Sequence, residues 1–79
     1  MPHAKINYNV IGRRIREARK NAKIDQHELS AALSVDHGIE LSNKVLHRIE
    51  KGERPVRDAE LIAIARVLNI SPNWLFRWK

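Results

Sequence analysis

Residues 25–52 read DQHELSAALSVDHGIELSNKVLHRIEKG, and this stretch decides the fold. Asp25 is a helix cap: its carboxylate can accept from free backbone donors while Glu28, three residues on, reaches back to the cap. Leu29, Ala32 and Leu33 then recur at helical spacing and form one inward face. A second start signal stands at Ser42, followed by Leu46 and Ile49 three apart. That helix closes near Lys51-Gly52, because glycine tolerates the left-handed conformation that ends a helix. The face left outward between Ser42 and Lys51 is polar and basic.

Working outward, Ile11, Ile15, Ala18 and Ala22 step by four, three and four, which predicts an earlier helix with one apolar stripe, capped by Asn9. Gly12 inside it costs about 1 kcal/mol relative to alanine unless another helix approaches closely there, and such a contact is expected. Downstream, Pro55 interrupts the chain, and Asp58 or its predecessor opens a helix carrying Leu61, Ile64, Ala65 and Leu68. Asn69 ends it. Ser71-Pro72 then caps and begins a short fifth helix through Trp74, Leu75 and Phe76. No segment alternates like a strand, so the fold class is all-α, with five helices.

Seventy-nine residues suffice for one compact domain and not for two. The boundaries read as an N-terminal arm over 1–9, the domain over 10–77 and an end at 78–79. Apolar content of 43% and charged content of 30% fit a globular rather than a disordered chain. Cysteine is absent, which excludes disulfides, thiolate zinc sites and a cysteine nucleophile. Met1 to Asn9 has no apolar core of signal-peptide length, and Leu61 to Ala65 is too short to span a bilayer, so the expected location is cytoplasmic. His3, His27, His37 and His47 are scattered without paired spacing, and no phosphate loop or nucleophile arrangement is present. Neither a metal, nor another cofactor, nor an enzyme activity is expected.

Net charge is +6, and the isoelectric point lies near 10.3. An anionic partner follows. Basic residues concentrate in two sets, Arg13, Arg14, Arg16, Arg19, Lys20 and Lys23, then Lys44, Arg48, Lys51, Arg54 and Arg57.

Two short helices with a basic face on the second suggest a helix-turn-helix. The order Ile11-Gly12-x-x-Ile15-Arg16-x-x-Arg19, Ile24-Asp25-Gln26-x-Glu28-Leu29 and Leu46-x-Arg48-Ile49-Glu50-Lys51-Gly52-x-Arg54-Pro55 resembles the XRE family, the DNA-binding domains related to phage lambda-type repressors and Cro. The tail Leu61-x-x-Ile64-Ala65-x-x-Leu68-Asn69-Ile70-Ser71-x-x-Trp74-Leu75 is similar to that family's closing pattern, so the resemblance covers roughly residues 10 to 76. It implies a transcriptional regulator, a repressor, that binds a DNA palindrome as a homodimer and lays its third helix in the major groove. Asn43 and Lys44 match the family's base-reading positions. His47 and Arg48 stand one turn further along, Arg48 against a base or a phosphate. Gln26 matches a glutamine that touches phosphate and braces the reading helix; Ser42, Arg54 and Arg57 complete the implied phosphate set. Arg19 and Glu50 match a family ion pair that ties the first helix to the end of the third. Arg13, Arg14 and Lys20 read as a solvated face.

One stretch departs from the family's best-known members. The turn over Ser34 to Leu41 is longer, with Gly38 for flexibility and Ile39 and Leu41 able to tuck onto the core. A rival reading makes the chain an antitoxin or protein-interaction module, with a toxin-like partner on the apolar end around Phe76 and Trp78. Trp78 is also a candidate dimer contact.

Overall fold

The computed structural model describes residues 8–75, and among these every element is helical: α1 (Tyr8–Asn21), α2 (Gln26–His37), α3 (Asn43–Glu50), α4 (Asp58–Leu68) and α5 (Pro72–Leu75). Local signals account for the boundaries. Asp25 accepts from the Glu28 backbone N–H at 2.8 Å, and Glu28 accepts from the Asp25 N–H at 2.8 Å, so the box at the start of α2 is complete. Ser42 Oγ accepts from the Val45 N–H at 3.2 Å and starts α3. Ser71 Oγ accepts from the Asn73 N–H at 3.2 Å ahead of Pro72. Four of the described helices close on a left-handed residue, α2 on Gly38 and the others on Lys23, Gly52 or Asn69. After Lys23, Gly52 and Asn69 the following N–H donates back five residues, Ile24 to Arg19 O, Glu53 to Arg48 O and Ile70 to Ala65 O.

The core is one cluster drawn from all five helices and the turn, with Ile15, Leu29, Leu33, Leu46, Ile49, Ile64 and Leu75 fully enclosed. Helix α1 packs against α3, α4 and α5, while α2 packs against α3 and α4. The helix pair α2 and α3 is thus held from behind, α3 by α1 and α2 by α4. No described helix is long and apolar enough to cross a membrane.

Two expectations for α1 are corrected. Asn9 lies inside the helix, which already includes Tyr8; a cap preference of about 1 kcal/mol does not by itself stop a helix. Ala22 leaves the apolar stripe and is exposed, because α1 stops at Asn21 and the chain reverses through Lys23. Ile24, beyond the reversal, is half-buried against the core. Gly12 meets the expected neighbour: a Cβ there would lie 2.7 Å from Glu50 O and closer still to Ile49 O, so α1 and the end of α3 touch backbone to backbone.

The long turn is built rather than loose. Gly38 closes α2 in the left-handed region, at φ 65°, and the Ile39 N–H donates to Leu33 O at 3.0 Å, folding the chain back. Leu41 is buried and Ile39 half-buried against the same core.

Candidate nucleic-acid interface

Helix α3 divides cleanly. Leu46 and Ile49 face inward at 0% and 1% exposure, while Lys44, His47 and Arg48 are exposed and Asn43 is half-buried at the first turn. None of these four side chains hydrogen-bonds or pairs with another described residue. Four polar or basic groups therefore stand on one outward face, in the register that three- and four-residue steps give a helix.

The end of α3 is anchored by charge. Arg19 Nε donates to Glu50 Oε2 at 2.7 Å, and its Nη2 donates to Oε1 at 3.1 Å. A third donor, Nη1, reaches Ile24 O at 3.0 Å. The side chains are 10% and 2% exposed, so the fork-to-carboxylate geometry satisfies two charges largely withdrawn from water. The hydrogen bond to Glu50 raises the Arg19 pKa above its ordinary value against the opposing effect of burial, and the guanidinium stays charged. Gln26 Nε2 joins them, donating to Glu50 Oε1 at 3.2 Å. Gln26 is the first residue of α2, so one carboxylate links α1, α2 and α3.

The residues expected on phosphates separate. Ser42 is exposed and capped inward, which leaves its hydroxyl proton uncommitted; Arg57 is exposed at the cap of α4. Arg54 differs. Its Nη1 donates to Glu60 Oε1 at 2.8 Å and to Pro55 O at 3.0 Å, and Nη2 donates to Oε2 at 3.3 Å, so it braces the α3–α4 loop. Glu60 also accepts from the Arg57 N–H at 2.9 Å. Arg54, and then that backbone donor, hold the Glu60 carboxyl below its ordinary pKa although burial pushes the other way.

Sequence reasoning missed three supports. Arg14, expected in solvent, donates to Trp74 O at 2.7 Å and lies 5.7 Å from the Trp74 ring centroid, tying α1 to α5 across 60 residues of chain. Glu60 is buried, and the available signal was its place three residues after the α4 cap, where a glutamate reaches back. Ser30 and Ser34, four apart on α2, hold the turn through Leu41 O and the Glu40 carboxylate. Phe76 and Trp78, which carried the dimer and toxin-partner readings, lie outside the described residues. Among the described residues no three His, Cys, Asp or Glu side chains gather as a metal site would require.

A family model described as helix-turn-helix matches residues 15–75. The HTH-type transcriptional regulator DicA of Escherichia coli (strain K12) is 37% identical over 65 residues, which covers 82% of this chain and 44% of that protein. The chain thus spans less than half the length of the curated relative it matches. No solved structure gives a significant match.

Proposed function

The chain belongs to the XRE-type helix-turn-helix family, and on that footing we propose that it is a DNA-binding transcriptional regulator that reads its operator with α3. The observation that carries this reading is the outward face of α3, where Asn43, Lys44, His47 and Arg48 stand uncommitted on a helix clamped at its C-terminal end by the Arg19–Glu50–Gln26 cluster. A major groove admits one helix and shows a distinct donor and acceptor pattern for each base pair. In the proposed complex Asn43 pairs with adenine and Lys44 donates to guanine. His47 and Arg48 follow one turn along. Gln26, Ser42 and Arg57 meet the backbone, helped by the donor-rich start of α2. Arg54 braces the loop through Glu60 and keeps its Nε–H for a phosphate.

The finer proposal is repression by a homodimer on a palindrome, with half-sites about 34 Å apart. It rests on the resemblance to lambda-type repressors. The domain that does the binding is assigned to residues 10–77.

Selection from a randomised duplex library, followed by titration of the winner against random DNA, tests the reading. The selected duplex should bind in preference to random DNA, with an affinity that falls steeply between dilute and moderate salt as counterions are released. Lys44→Ala should change which sequence is preferred, while Arg57→Ala should weaken all sequences alike and reduce the salt slope by about 1. A flat salt dependence, or equal losses on both DNAs for Lys44→Ala, would refute it.

A further inference from the structure

We propose that Ser30 is a positioning residue for the reading helix: it and Ser34 form a rail on α2 that sets where the first turn of α3 stands. The inference rests on the DNA-reading function proposed above. It concerns the lengthened turn, where the α3 start is separated from α2 by Gly38-Ile39-Glu40-Leu41-Ser42. A connection of that length between two helices has many conformations open to it, and the first turn of α3 carries Asn43 and Lys44.

The rail removes that freedom. Ser30 and Ser34 are four apart and share one face of α2. Ser30 Oγ donates to Leu41 O at 2.7 Å in a partly buried contact, and Ser34 Oγ donates to Glu40 Oε2 at 2.8 Å at the surface. Leu41 immediately precedes Ser42, the cap of α3, and is 4% exposed as a residue. The peptide unit entering the cap is therefore held twice, by the Leu41 side chain in the core and by the Ser30 hydroxyl at its carbonyl. The far end of α3 is held separately through Glu50. With both ends located, the direction of the helix axis is defined. Loss of Ser30 Oγ frees the N-terminal end alone and leaves Leu41 O without its donor.

A misplaced helix start should matter for base edges and little for phosphates, because hydrogen bonds to bases are directional while counterion release is not. The test uses the full chain with Ser30→Ala, Ser34→Ala and the hydroxyl-retaining Ser30→Thr. The first readout needs no DNA: amide hydrogen exchange in the free protein. Ser30→Ala should accelerate exchange at the Val45 and Leu46 amides by about three- to tenfold relative to amides elsewhere in the core, the range one lost hydrogen bond gives. The second is the ratio of affinity for the selected duplex over random DNA. Ser30→Ala should lower it about three- to tenfold, with random-DNA affinity and salt slope unchanged. Ser34→Ala should move both readouts in the same direction but less than Ser30→Ala, since its hydrogen bond lies at the surface, and Ser30→Thr should keep both near wild type. Equal losses on selected and random DNA, or exchange unaltered in the α3 first turn, would overturn the proposal. Should Ser30→Ala melt below the assay temperature, Ser30→Cys, close in size with a weak donor, provides the same contrast. A wild-type chain that prefers no sequence would refute the DNA reading, and the exchange arm would still judge the rail.

Discussion

Replacing Gly12 by alanine sets two opposing effects against each other, and the structure says which wins. In an isolated helix the change should stabilise by about 1 kcal/mol, since glycine is the poorer helix former. Here the added Cβ would fall 2.7 Å from Glu50 O and 2.9 Å from Glu50 C, with Ile49 O nearer still. Ordinary contact begins near ~3.5 Å, so clearing Glu50 O alone would part the α1 and α3 backbones by roughly 0.8 Å, and clearing Ile49 O takes more. All three opposing atoms are main chain, which cannot swing away as a side-chain tip would. Overpacking of this kind costs about 1–3 kcal/mol, and a rigid wall on both sides puts it in the upper part of that range. The net expectation is a loss of about 1–2 kcal/mol, which for a domain of this size lowers Tm by roughly 5–15 °C. Thermal melts followed by circular dichroism, with exposed Glu17→Ala in the same helix as a control, measure it. Because the clash lies at the end of α3, the same variant should weaken preference for the selected duplex. A Tm equal to or above wild type for Gly12→Ala would show that helix propensity dominates and that the close approach of the two helices is not a real constraint.

Two further perturbations follow from the buried charges. Arg19→Met strands the Glu50 carboxylate and should cost about 3–5 kcal/mol, whereas the double variant R19M/E50L should recover most of that loss, since the pair's attraction only offsets its desolvation. Urea midpoints compare them, and a double variant no more stable than Arg19→Met would count against the argument. For Glu60 the sign follows from its depressed carboxyl pKa. Its contribution is complete above the ordinary carboxylate value of about 4.3 and disappears as pH falls through the lower folded value. Glu60→Gln should therefore be less stable than wild type at neutral pH, with a gap that closes as pH falls below the ordinary carboxylate range. A gap of constant size in melts from neutral pH to below that range would refute the assignment.

Much of the architecture is legible because its causes are local. The Asp25–Glu28 box, the Ser42 and Ser71 caps and the left-handed closures at Gly52 and Asn69 all join residues at most five apart. Such signals survive in sequence because the same few residues make and receive the bond. The apolar steps of α4 work the same way, with Leu61, Ile64, Ala65 and Leu68 all buried. Local reasoning falters where two causes compete over a short range. Asn9 has a cap's chemistry but sits inside α1, and Ala22 fits a stripe that the Lys23 reversal cuts off.

What the amino-acid order settles alone is therefore the helical class, most helix limits, the apolar faces and the basic outward residues of α3, each a consequence of periods and caps spanning a single turn or two. The partners of the polar side chains belong to the tertiary structure. The sequence does not pair Arg54 with Glu60 until the loop brings the two together, and Arg14 could have stayed in water until α5 docked with the Trp74 carbonyl toward it. A guanidinium has several donors and a long stem, so its sequence neighbours do not dictate its acceptor. Only the packing of α1 on α3 and α5 does, and that depends on contacts between residues far apart in the chain.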